Sequence, residues 1–190
     1  MAGSLIRMTG TASHAAPGPH PAPGPATAGE TAHDAHDRRP ADTGPRSRSR
    51  RRRDTEHRLT HDVDVWVASA SADGAPYLVP LSFDWDGEAL LAATPADSPT
   101  GRNLAATRSV RLGLGLTRDV SVIDGEVEVL EIGELPRERG DRFAERTGFD
   151  PRVSATPYRW FRITPRRVQA WREVDELPGR ELMRDGRWLA

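Results

Sequence analysis

From residue 63 onward, apolar and polar positions alternate in short runs that break at Asp, Gly and Pro. In "VDVWVASASADGAPYLVPLSFDWDGEALLAAT", Val63, Val65 and Val67 share one face of an extended chain. Tyr77, Val79, Leu81 and Phe83 share one face of the next run. Asp-Gly pairs in the turns Ala72–Gly74 and Trp85–Gly87 supply the positive φ that tight hairpins need. The stretch predicts three strands and two hairpin turns. "SPTGRNLAAT" then predicts a short helix, with Ser98 as N-cap and Pro99 in the first helical position. "SVRLGLGLT" and "VSVIDGEVEVLEI" are strand-like, and Glu126 and Glu128 give the second a wet face. "ELPRERGDRFAERTG" predicts a helix that packs through Leu135, Phe143 and Ala144 and ends at Gly148. "YRWFRIT" is a strand that "RRVQAW" continues past Pro165, and "MRDGRWL" predicts a small hairpin.

The pattern changes near residue 54. Residues 1–53 are rich in Pro, Gly, Ala, His and Arg and have no aromatic residue. They cannot bury enough apolar surface to offset their ordering entropy, so a disordered tail is expected. It ends in "RSRSRRRR", Arg46–Arg53, read as a solvated run or a weak contact for nucleic acid or a membrane surface. Residues 54–190 form the expected domain, beginning with a short helix in "DTEHRLTHD". Six or seven strands, mostly joined by tight turns, with two or three helices, make a mainly β (α+β) antiparallel barrel or sandwich with helices at its ends. A doubly wound fold is disfavoured because strand and helix do not alternate.

Composition narrows the chemistry. The formal net charge of −1 gives no electrostatic case for a nucleic-acid partner. All 27 basic residues are arginine, and there is no cysteine, which removes disulfides, thiolate nucleophiles and cysteine-ligated metals. No apolar run is long enough to span a bilayer. "MAGSLIRM" lacks the apolar core of a signal peptide, so a cytoplasmic protein without a membrane partner is the default.

Four of six histidines lie in the tail; His57 and His61 are four apart on the first predicted helix. That spacing can bind a metal, with Asp62 and Asp64 close by, but no third ligand is evident and no metal site is assigned. A Ser-His-Asp triad has no nucleophile elbow, and there is no P-loop or dinucleotide glycine fingerprint. The remaining candidate is "TPADSPTGRNL". A helix N-terminus presents free N–H groups and a positive dipole end. Hydroxyls of Thr94, Ser98 and Thr100 with the Arg102 guanidinium make a phosphate cradle conceivable. Pro99 removes one donor and Asp97 repels an anion, so an ordinary capped helix is the alternative reading.

The order "ADGAPYLVPLSFDWDGEALLAATPADSPTGRNLAAT", "SVRLGL" and "RRVQAWRE", over roughly residues 57–175, resembles the pyridoxamine 5'-phosphate oxidase-like flavoprotein family. The resemblance implies a split β-barrel that binds FMN or, in many actinobacterial members, a 5-deazaflavin. It implies that Val79, Pro80, Leu81 and Ser82 line the isoalloxazine ring, largely through backbone groups. It further implies that Thr94, Ser98, Thr100 and Arg102 hold the phosphate. The position usually basic in the family is Thr100 here, so the positive charge falls to Arg102. Trp171 in "VQAW" resembles a tryptophan near the flavin, although five tryptophans in one small domain are expected to be mostly core. The arginine-histidine signature that grips pyridoxamine 5'-phosphate is missing from "ELPGRELMRDGRWL", so another small-molecule substrate is expected. The implied protein is a homodimeric flavin-dependent oxidoreductase with the flavin at the interface and no catalytic acid or base assigned. The rivals are a deazaflavin-dependent reductase and a non-catalytic module holding flavin or haem.

Overall fold

The computed structural model describes residues 44–189. The alternating runs become eight strands: β1 (Asp64–Ala70), β2 (Pro76–Trp85), β3 (Leu90–Pro95), β4 (Ser109–Leu116), β5 (Asp119–Glu131), β6 (Tyr158–Trp171), β7 (Glu181–Arg184) and β8 (Arg187–Trp188). They form one antiparallel sheet ordered β3-β2-β1-β4-β5-β6-β7-β8, and pairing of β3 with β6 closes the first six of these into a barrel. The mainly β barrel of six strands is as expected, and β7 and β8 extend the sheet beyond it as the small hairpin expected in "MRDGRWL". Three α-helices accompany them: α1 (Arg48–His61), α2 (Pro99–Thr107) and α3 (Arg137–Thr147).

Inward-facing Val65, Val67, Phe83, Leu112, Ile123, Phe161 and Ile163 fill the barrel. Leu59 from α1 and Leu104 from α2, both fully buried, enter the same core, so the helices close the barrel's ends. Burial of one such leucine contributes about 2 kcal/mol. A second cluster lies outside the barrel wall. There Phe143 of α3 meets Trp160 edge-on, with ring centroids 5.0 Å apart, above Leu91 and Ala93. Pro165 sits within a long strand without breaking it because the β5–β6 register shifts at Asp124/Gly125; a proline removes a ladder donor, and a bulge is where that is tolerated.

Two expectations need correction. The boundary at residue 54 is too late: α1 begins at Arg48, capped by the Ser47 hydroxyl, which accepts from the Arg50 N–H. "RSRSRRRR" is therefore not wholly a solvated run. Arg51 is buried and donates to the carbonyls of Ala170, Glu176 and Gly179. Residues 1–43, on which the rest of the expected disordered tail falls, lie outside the described residues. The tryptophans also differ from expectation. Trp160 is fully buried, but Trp66 is 53% exposed and Trp85, Trp171 and Trp188 are half-buried. No described helix is long and apolar enough to cross a membrane.

Candidate cofactor site

The β2–β3 ladder is confined to three pairs, Phe83 with Ala92 to Trp85 with Leu90. Beyond them the strands part: β2 stays with β1 from Pro76 to Ser82, while β3 crosses to β6 as far as Pro95. The Phe83 N–H donates to Val63 O, on the β1 side. By the alternation of an antiparallel strand, odd residues of β2 turn their main-chain groups to β1 and even ones turn them away. Leu78 and Pro80 therefore present their backbone on the edge that β3 has left. Pro80 has no N–H to offer there, which is why proline is tolerated in this strand.

The side chains of Val79 and Leu81 face inward with Val65 and Val67; Leu81 packs against the core. Leu78 and Pro80 face outward beside Trp66, to which Pro80 is register-paired. Leu78 is 59% exposed and Trp66 53%, so the outward side of this part of the sheet carries an uncovered apolar face. The Ser82 hydroxyl donates to Asp64 Oδ1 at 2.6 Å.

At the other side of the parting, α2 begins. Ser98 is its N-cap and Pro99 stands in the first turn. The structure brings Thr94 and Ser98 into contact and occupies both, with Thr100 buried beside them in the first turn. Ser98 Oγ donates to Pro95 O at 2.8 Å and accepts from the Gly101 N–H at 3.0 Å. Thr94 Oγ1 lies 3.2 Å from Ser98 Oγ. A hydroxyl has one proton to give, and that of Ser98 goes to Pro95, so Thr94 is the donor in this pair. Thr94 and Thr100 are buried, while Arg102 is exposed and its guanidinium donates to the Asp97 carbonyl.

Trp171 is elsewhere. Thr94 pairs with Arg159, near one end of β6; Trp171 closes the other end, opposite Val120, with the Arg180 guanidinium 5.4 Å from its ring. Within one chain the structure does not bring it to the start of α2. His57 and His61 stack at 3.9 Å on α1, and among the described residues no group of three His, Cys, Asp or Glu is placed to hold a metal.

Two positions that shape the site were not singled out from the sequence. A Cβ on Gly101 would lie 2.3 Å from Pro95 O, so only glycine lets α2 start this close to the end of β3. Asn103 donates from Nδ2 to Ser69 Oγ at 3.1 Å, both buried, which pins α2 to β1. The signal for this pair was Ser69 itself, a polar residue on the inward face set by Val65 and Val67.

A flavin divides into a ring and an anionic tail, and the two halves fit differently. The free β2 edge and its apolar surroundings suit a planar ring with polar atoms along its rim. The start of α2 suits a phosphate poorly, because the Thr94 and Ser98 hydroxyls are committed to each other and to Pro95 O, Pro99 has no N–H, and Thr100 is buried.

Comparison with known proteins agrees with the architecture. The family model described as pyridoxamine 5'-phosphate oxidase matches residues 58–172. No curated protein matches the chain. Among solved structures, a Listeria innocua protein described as a candidate pyridoxamine 5'-phosphate oxidase is 16% identical with a TM-score of 0.52, covering 64% of this chain and 98% of its own. HutZ, the haem storage protein of Vibrio cholerae, is 16% identical at 0.51, covering 63% and 93%. A FAD-binding protein of Mesorhizobium loti is 23% identical at 0.50, covering 62% and 89%. At these identities the structural likenesses establish the split-barrel fold alone. The family match spans more than half of the chain and takes in every strand of the barrel: the protein belongs to the pyridoxamine 5'-phosphate oxidase family.

Proposed function

We propose that the protein is a flavin-dependent oxidoreductase that seats the cofactor ring along the unpaired edge of β2, at Leu78 to Ser82. The observation that carries this reading is that edge, left open where β2 and β3 part and flanked by exposed Trp66, Tyr77 and Leu78. Membership of the family supports it. When bound, the flavin supplies the redox chemistry, and the protein supplies binding and orientation. Backbone groups at Leu78 and Pro80 would meet the polar rim of the ring, and the outward apolar side chains would exclude water from its face. FMN is the first expectation and a 5-deazaflavin the alternative. The substrate is a small molecule other than pyridoxamine 5'-phosphate.

An apolar sheet face of this kind marks an interaction surface. The family resemblance makes its occupant a second copy of the chain, so the protein is a homodimer that completes the cofactor site. Residence in the cytoplasm is part of the same proposal. The test is the visible spectrum of the purified protein, followed by titration with FMN and with a 5-deazaflavin. A flavin spectrum, or saturable binding of either cofactor, supports the proposal. A Soret band in their place would make the protein a haem carrier, and binding of neither flavin would end the oxidoreductase reading. Sedimentation of wild type and Trp66→Ser tests the dimer: the variant should dissociate at lower dilution.

A further inference from the structure

A phosphate monoester carries about −1.5 to −2 charge at pH 7 and three strong acceptor oxygens. Holding it takes several uncommitted donors aimed at one point. The start of α2 has nearly none. Ser98 Oγ gives its one proton to Pro95 O and fills both lone pairs with the Gly101 N–H and the Thr94 hydroxyl. Pro99 has no N–H. The Arg102 N–H is taken by the Ser98 carbonyl. The Thr100 N–H and hydroxyl are the first-turn donors left without a partner among the described residues. The Thr100 side chain is itself 2% exposed, which keeps a ligand from approaching along it. Arg102 is the local cation, but it is folded back on the Asp97 carbonyl.

Nor can this turn open cheaply. Gly101 is pressed against Pro95 O and Ala96 O, and Asn103 is tied to Ser69, so moving the first turn of α2 disturbs both the end of β3 and the barrel wall. The Thr94 and Ser98 hydroxyls stabilise a helix start and are not left for a ligand.

We propose that this protein selects its cofactor by the ring system and not by the terminal phosphate, and that Pro99 is the residue that sets this preference. The inference rests on the proposed binding of a flavin ring at the β2 edge. It predicts a site that accepts phosphate-free flavins, or flavins whose tail bears its charge elsewhere, about as readily as FMN. Pro99 decides the matter because it is exposed and stands where a donor would face the ligand. An arginine there would restore an N–H and add a guanidinium at an otherwise silent point of the helix N-terminus.

The experiment is a titration of the full chain with FMN and with riboflavin, read by quenching of flavin fluorescence, and repeated with the 5-deaza forms of both. The two dissociation constants of each pair should agree within about tenfold. Pro99→Arg should tighten FMN by about tenfold and leave riboflavin unchanged, a gain that general damage to the fold cannot mimic. Arg102→Ala should move neither constant by more than about threefold. A wild-type preference for FMN above a hundredfold, removed by Arg102→Ala, would overturn the inference and leave the flavin reading standing. Failure of every flavin to bind would overturn both. The wild-type ratio decides the question even if Pro99→Arg does not fold.

Discussion

Replacing Glu176 by glutamine should destabilise the protein by about 3 kcal/mol at neutral pH, and the loss should fade as the solution is acidified. The Glu176 carboxylate is fully buried at the turn that follows β6. Its Oε1 accepts from the Arg46 N–H at 2.8 Å and from Arg46 Nε at 2.9 Å. Its Oε2 accepts from Arg46 Nη2 at 2.8 Å and from the Arg172 N–H at 2.7 Å. Hydrogen bonding from Arg46, partly opposed by burial, lowers its pKa from 4.5 to about 2. A depressed folded-state value means that the carboxylate stabilises the fold fully above pH 4.5, and that this is lost as pH falls toward 2. At roughly 1.4 kcal/mol per pH unit, the interval corresponds to about 3 kcal/mol. Glutamine keeps the shape but turns an NH₂ toward groups that can only donate. For a domain of this size the melting midpoint should drop by roughly 6–12 °C. Urea denaturation followed by circular dichroism at pH 7 and pH 3 measures it, and the gap between wild type and variant should narrow to about 1 kcal/mol at pH 3. A gap below about 0.5 kcal/mol at pH 7, or one that does not change with pH, would refute the reasoning.

Two further substitutions probe the positions that hold the site. Gly101→Ala places a methyl 2.3 Å from Pro95 O and should cost about 1–3 kcal/mol, seen as a lower melting temperature; an unchanged midpoint would mean that α2 can shift freely. Asp84 is buried, with Arg139 Nη1 at 2.6 Å and Arg142 Nη2 at 3.0 Å, and it fastens α3 to β2. Because those arginines are partly solvated, Asp84→Asn should cost about 2–3 kcal/mol, at or below the low end for breaking a buried pair. Faster amide exchange across Arg137–Thr147 would locate the damage, and unaltered exchange would count against the assignment.

The barrel strands were legible because their signals are local. Asp-Gly turns, period-two alternation and the Ser98-Pro99 start each occupy a few neighbouring residues. The extent of α1 was not legible, because what makes its first turns ordered is distant in sequence. Arg46 and Arg51 look like solvated charge until Glu176 and the carbonyls of Ala170 and Gly179 are folded against them. Closure of β3 on β6 is equally non-local. The tryptophans show a different failure. Composition places them in the core, but alternation within β1 already sets Trp66 opposite Val65 and Val67. Face parity was the better guide to its exposure.

The same parity bears on the site. Thr94 shares its side of β3 with Leu90 and Ala92, whose partners on β6 are the core residues Ile163 and Phe161. Its hydroxyl is thereby committed to the barrel's end before any ligand is considered, and Ser98 completes it. A motif of hydroxyls, proline, glycine and arginine at a helix start serves capping and anion binding equally well on paper. What separates the two is which way the preceding strand turns its last side chain. On β2 the alternation works the other way, since Leu78 and Pro80 fall on the outward face and on the edge that lost its neighbour. The open edge lies on β2, and Gly101 and Ser98 hold the start of α2 against the end of β3.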